Sequence, residues 1–345
     1  MRYAKFLPSH GTIGLIAPSF GCATEPYKTA FQNALKKWNE MGYHTQLGPN
    51  CLLSEGIGIS NKPSLCGAEV MEGFQSDADC LISCGGGELM CEILPYVDFR
   101  KLGMLEPKWF MGFSDNTNLT YLLATLADTA SVYGPCAASF GMEEWHESLI
   151  NAFDILRGKC NEVSSFGLWE KESLKDEEHP LASYHLTEPL QIKRYIGGKP
   201  LDDGAELSFH GRLLGGCMDC LVTLLGTGFD KTKEFVERYK DDGIIWFLEA
   251  CDLNVFSIRR AMWQMEEAGW FQHVKGFLIG RPANGEAIMN LDATRAVLDI
   301  AGKKNVPILI DVDLGHCPPM MPLVVGSYAD IKSLGNELHV KMKFI

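Results

Sequence analysis

Short apolar runs that stop at Gly, Ser or Pro alternate along this chain with stretches whose apolar residues recur at helical spacing. That alternation constrains the fold more than any other feature. Residues 12–17 form an apolar run closed by Pro18-Ser19, the pattern of a buried parallel strand ending in a loop. Residues 27–41 follow, with Ala30, Phe31, Ala34, Leu35 and Trp38 at helical spacing and Gly42 as a stop signal. The same reading predicts strands at 44–47, 80–83 and 108–113, and helices at 67–76 and 118–126. Alternating strands and helices imply a parallel, doubly wound sheet in the first 150 residues. Ligands collect at the carboxyl ends of such strands. Three loops fall there: Pro18-Ser19, residues 85–88 and residues 112–117.

Residues 158–204 are polar, charged and turn-rich, and read as a linker with an insertion, the kind of long loop that often carries function. From residue 205 the alternation resumes. Strands are expected at 207–210, 243–248, 276–279 and 307–312, helices at 217–225 and 254–268, and terminal strands within 328–343. A length of 345 residues suits two domains. The expected division is 1–157, a 158–204 linker, and a smaller α/β domain over 205–345.

Composition narrows the function. With 44 acidic against 31 basic residues the net charge is −13, and no Lys/Arg stripe reverses it locally, so nucleic acid is not an expected partner. No apolar run approaches the roughly 18 residues that a membrane span needs, and the N-terminus lacks the pattern of a signal peptide. Twelve cysteines scattered in apolar contexts suggest free thiols in a reducing compartment, and hence a cytoplasmic protein. Cys217 and Cys220 have metal-ligand spacing but lack the second pair that a structural zinc site needs. They read as two small apolar residues on one helix face, and no metal is expected.

The strongest local signal is Trp109-Phe-Met-Gly-Phe-Ser-Asp-Asn-Thr, an apolar strand running into Ser114 just ahead of a helix. A serine on such a turn exposes its hydroxyl beside the N–H groups of the helix start. The Gly-x-Ser-x-Gly elbow is half present, because Asn116 replaces the second glycine; Ser114 also fits a helix N-cap. A nucleophilic serine needs a base, and the base needs an acceptor to orient it. His146, His179 and His185 lie in polar stretches, whereas His316 follows an apolar run on a Gly/Pro loop. Glu249 ends the apolar run of residues 244–248, where a carboxylate is costly unless paired. It also fits a cap for the following helix or a partner for Arg259 or Arg260.

Several ordered segments resemble the LD-carboxypeptidase family of serine peptidases, which includes the microcin C self-immunity proteins. They are Gly14-Leu-Ile-Ala-Pro-Ser, the Gly86-Gly87 turn followed by Leu94-Pro-Tyr, Gly112-Phe-Ser-Asp-Asn-Thr, Gly211-Arg-Leu-Leu-Gly-Gly-Cys, Phe247-Leu-Glu and Leu314-Gly-His. The resemblance implies a Rossmann-like N-terminal domain carrying the nucleophile and a C-terminal domain carrying the other two triad members. Ser114 would be the nucleophile, His316 the general base and Glu249 the residue orienting it. The backbone N–H groups of Asp115 and of Gly86 or Gly87 would form the oxyanion hole. It further implies a homodimer without cofactor, acting on a small peptide or peptidyl-nucleotide: a murein L,D-tetrapeptide or a microcin-type conjugate. Family members commonly carry Arg-Gly-Gly-Tyr-Gly at the glycine turn; Gly85-Gly-Gly-Glu-Leu here suits the immunity branch better. Trp169 is a candidate aromatic platform for substrate, and Arg212 and Lys108 are candidate partners for its carboxylate. The rival reading is a non-catalytic small-ligand-binding protein on the same scaffold. A dinucleotide-dependent oxidoreductase is disfavoured, since neither Gly-x-Gly-x-x-Gly nor a P-loop is present.

Overall fold

The computed structural model describes residues 1–345, which divide into two compact units. The first holds Met1–Cys160 and Glu172–His185, the second Asn161–Lys171 and Leu186–Ile345. The fold is α/β in both.

In the first unit, strands β1 (Thr12–Ile16), β2 (His44–Leu47), β3 (Cys80–Ser83), β4 (Trp109–Gly112) and β5 (Ser131–Tyr133) form a parallel sheet in the order β2-β1-β3-β4-β5. Helices α1 (Tyr27–Glu40), α2 (Pro63–Gln75), α3 (Phe99–Leu102), α4 (Thr117–Ala127) and α5 (Glu147–Leu156) accompany it. The inner strands β3 and β4 are buried along their whole length, which is why they appear in the sequence as short apolar runs. Helix α1 buries Ala30, Phe31, Ala34 and Trp38, one stripe of an otherwise polar cylinder. Trp38 packs there with Phe140 and Phe153, at centroid distances of 5.3 and 6.4 Å.

The second unit is built on nine strands. They are β6 (Glu162–Ser164), β9 (Lys193–Ile196), β10 (Lys199–Pro200), β11 (Leu207–Cys217), β12 (Ile244–Glu249), β13 (Val274–Gly280), β14 (Pro307–Val312), β16 (Tyr328–Leu334) and β17 (Glu337–Lys343). Strands β7 (Leu168–Glu170) and β8 (Leu186–Pro189) form a separate antiparallel pair, and β15 spans Leu323–Val325. The large sheet runs β10-β9-β14-β13-β12-β11-β16-β17-β6. Its centre, β11 to β14, is parallel, and antiparallel strands complete both edges. Four helices belong to this unit: α6 (Met218–Leu224), α7 (Thr232–Arg238), α8 (Val255–Glu267) and α9 (Ala293–Ala301).

The 158–204 segment contributes to both units. Residues 172–185 belong to the first, while β6, β9 and β10 are sheet strands of the second. With these strands the second unit reaches nearly the size of the first.

Candidate active site

Ser114 stands immediately after β4, at the entry to the 3-10 turn Ser114–Asn116 that leads into α4. Its φ is +62°, left-handed backbone that a non-glycine residue adopts only when its surroundings impose it. Those surroundings are explicit. The Asn116 side-chain amide donates to the Gly85 carbonyl at 2.8 Å and to the Phe113 carbonyl at 3.1 Å, tying the elbow to the glycine turn. The Ser114 N–H donates to the Tyr133 hydroxyl at 3.3 Å.

The Asp115 carboxylate is buried and gathers three segments. It accepts from Ser19 Oγ at 2.5 Å, from the Met90 N–H at 2.9 Å and from Asn118 Nδ2 at 3.0 Å. Burial pushes its carboxyl above the usual range, and the hydrogen bonds from Ser19 and Met90 oppose that rise. The glycine turn lies against the serine: a Cβ on Gly86 would meet Ser114 Cβ at 3.1 Å and Oγ at 3.2 Å. A Cβ on Gly87 would fall 2.1 Å from Ser19 Oγ. All three strand-end loops singled out in the sequence therefore meet around Ser114, as the switch-point rule requires.

In the second unit, Glu249 is the last residue of β12 and is 0% exposed. Its Oε2 lies 2.8 Å from His316 Nδ1, the ring nitrogen on the side of the carboxylate. His316 follows β14 on the loop Leu314-Gly315-His316, and Gly315, at φ +85°, lets that loop cross the carboxylate. A Cβ there would fall 2.3 Å from Glu249 Oε2. Burial disfavours a charged ring, but the Glu249 carboxylate and the ring's hydrogen bonds with Cys251 and Glu249 outweigh it and hold the imidazolium well above its ordinary range. Asp219 fixes the stretch after β12 by accepting from the N–H groups of Cys251, Asp252 and Leu253.

Trp169, on β7, lines a cleft of about 800 Å³ that also includes Arg281, Lys193, Asp311 and Cys317. The Arg281 guanidinium lies 5.0 Å from the Trp169 ring centroid. Arg281 was not singled out in the sequence, although an arginine directly after an apolar strand and before Pro282 invites the same pairing argument as Glu249. It donates to Asp313 Oδ1 at 2.6 Å and to the Asp311 and Cys317 carbonyls at 2.9 and 3.4 Å. It thereby braces both sides of the His316 loop.

Two expected carboxylate partners have other occupations. Arg212 is 4% exposed, pairs with Asp242 at 2.6 Å, donates to the Gly326 carbonyl and lies over Tyr239. It sits five residues before Cys217 on β11, about 16 Å from the functional end of the strand. Lys108 precedes β4 and donates to the Gly73 and Ser76 carbonyls, six residues before Ser114. Both are structural cations far from the carboxyl ends of their strands, Arg212 midway along β11 beside the first residue of β12 and Lys108 just ahead of β4.

No helix is long and apolar enough to cross a membrane. Residues 13–134 match the LD-carboxypeptidase N-terminal domain and residues 210–331 the LD-carboxypeptidase C-terminal domain. A Vibrio cholerae protein provisionally named a carboxypeptidase is 27% identical over 346 residues, covering 94% of this chain and 93% of that one. The fold matches an MccF-like protein from Bacillus anthracis with a TM-score of 0.82 at 21% identity, covering 99% of this chain and 100% of that one. It also matches the microcin C7 self-immunity protein MccF solved with aspartyl sulfamoyl adenosine, at a TM-score of 0.79 and 19% identity over 99% of each chain. With both domains matched in order over most of its length, the chain belongs to the LD-carboxypeptidase family of peptidases.

Proposed function

We propose that the protein is a serine amidase in which Ser114 attacks the carbonyl of an amide bond, His316 takes its proton, and Glu249 orients and charge-balances His316. The observation that carries this reading is the buried Glu249–His316 pair, a carboxylate sealed from water and bonded to the ring nitrogen facing it. That bond leaves Nε2 as the nitrogen to accept a proton from serine. The tetrahedral oxyanion would be held by the N–H groups of Asp115 and of Gly86 or Gly87. His316 then delivers its proton to the leaving amine, and water hydrolyses the acyl-enzyme.

The substrate is an aminoacyl- or peptidyl-nucleotide conjugate in preference to a murein tetrapeptide. The cleft bounded by Trp169 and Arg281 supports this choice: it offers an aromatic face for a base and a cation against which an anionic linkage can rest. MccF binds a compound of that class, aspartyl sulfamoyl adenosine. A homodimer in a reducing compartment completes the reading, in keeping with twelve cysteines that are all free.

The test pairs wild type with Ser114→Ala, incubated with an aminoacyl-sulfamoyl adenosine and with an L,D murein tetrapeptide, products being read by mass spectrometry. Wild type should cleave the first and the mutant neither. Cleavage of the tetrapeptide alone would overturn the substrate choice. Equal cleavage by the mutant would overturn the serine mechanism, and no cleavage by either would favour a binding protein.

A further inference from the structure

We propose that Cys217, Glu249 and His316 form a binding site for a borderline-soft divalent cation, zinc above all, and that an ion seated there silences His316. Binding stands on the second unit alone; silencing rests on the role proposed above for His316.

Cys217 and Glu249 are the last residues of adjacent parallel strands and are register partners, so the sheet places the two side-chain positions together. His316 reaches the same point from the loop after β14. One ligand atom from each of the three lies within 4.8 Å of the other two. A tetrahedral zinc ion with bonds of about 2.0–2.3 Å separates its ligand atoms by roughly 3.3–3.8 Å, so the cluster closes on an ion with a contraction of about an ångström at its widest. The 2.8 Å between His316 Nδ1 and Glu249 Oε2 must open by about half an ångström as the ion replaces the proton they share.

The donor chemistry is selective. One thiolate, one imidazole and one carboxylate suit zinc or cobalt, whereas magnesium and calcium take oxygen ligands. Three protein ligands leave a fourth position open. Cys251, which hydrogen-bonds His316, is a further thiol in contact with the cluster. The surroundings are built in the manner of a ligating shell. Cys217 Sγ lies 3.4 Å from Asp219 Oδ2, and Gly280 and Gly315 pack closely on Glu249. The ion removes the thiol proton on binding. Of the Cys217–Cys220 pair only Cys217 belongs to this cluster, and its co-ligands arrive from other strand ends. With Nδ1 and Oε2 both committed to metal, Glu249 no longer balances the imidazolium that proton transfer must create.

Cobalt(II) is the probe for the site and zinc the ion for affinity, measured against a competing chelator on the metal-free full chain. One equivalent of cobalt should give a thiolate charge-transfer band, and Cys217→Ala should abolish it and weaken zinc binding at least about ten-fold. Glu249→Gln should weaken zinc as well, and Ser114→Ala should bind like wild type. Circular dichroism establishes that the variants fold. Absence of the band in wild type, or a band and zinc affinity unchanged in folded Cys217→Ala, would overturn the site. Zinc bound with undiminished turnover would overturn the silencing alone, while absence of turnover in metal-free enzyme would count against the hydrolase reading and leave the binding result standing.

Discussion

Replacing Glu249 by Gln tests the site most sharply, because its effect should depend on pH in a way that mere damage would not. Two unit charges 2.8 Å apart attract by about 6 kcal/mol at an effective dielectric near 20. Burial of the ring offsets part of this, and breaking a buried pair typically costs about 3–5 kcal/mol. Spent entirely on the transition state, that is a loss of roughly 150- to 5,000-fold in rate. The loss should not be uniform. In wild type the folded His316 is held above its ordinary range, so the base is free only as pH rises through that raised value. Well below it, resting enzyme and transition state both carry imidazolium, and the Glu249 charge stabilises them equally. There the electrostatic effect cancels in kcat/KM, and only misorientation remains. Above it, resting His316 is neutral while the transition state is charged, and the full loss appears. The rising limb of kcat/KM should therefore move to lower pH in Glu249→Gln while its plateau falls. The assay is a pH series of kcat/KM in chelator-containing buffer for both proteins. Two parallel profiles, with the same limb and a constant ratio, would refute this account of the pair.

Three further substitutions probe the frame around the site. Gly315→Ala places a methyl 2.3 Å from Glu249 Oε2 at a φ of +85°; it should cost about 1–3 kcal/mol of stability and reduce turnover, and an unchanged melting temperature and rate would count against it. Arg281→Met strands the fully buried Asp313 carboxylate and should cost about 3–5 kcal/mol by denaturant titration at neutral pH. That cost should shrink in acid as Asp313, already raised by burial against the pull of Arg281, takes up a proton; a penalty independent of pH would show that the pair is not its source. Trp169→Ala should raise KM for an aminoacyl-sulfamoyl nucleoside by ~5- to 150-fold with kcat little changed, from about 1–3 kcal/mol of stacking. An unaltered KM would remove Trp169 from the substrate cleft.

Which of these features were legible in the sequence depended on how local their causes are. Strands β3, β4 and β12 are buried throughout, so each appears as an apolar run closed by Ser83, Gly112 or Glu249. Strands β6, β9 and β10 are two to four residues long and of mixed polarity. β6 and β9 are strands only because β17 and β14, more than a hundred residues away in the chain, offer them edges, and β10 pairs in turn with β9. No window of the sequence contains that information, and residues 158–204 read as a loop for this reason. Arg212 misled in a related way: its counterion, Asp242, lies thirty residues on, and its position at the amino end of the strand pair is set by register with Ile244.

The residues of the candidate site follow a stronger regularity. A charged group at the carboxyl end of an apolar run has to be paired, and that much is visible locally. Its partner is fixed by sheet order, which the chain order does not reveal. Along β11, β12, β13 and β14, four adjacent parallel strands, the carboxyl ends deliver Cys217, Glu249, Arg281 and then Asp313 with His316. Glu249 pairs with His316 from two strands away, and Arg281 pairs with Asp313 from the next. The two pairs lock a single loop, residues 313–317, from both ends. The geometry of the proposed base is thus set by sheet register, and substitutions at Gly315 or Arg281 should reach His316 through that loop without touching the ring.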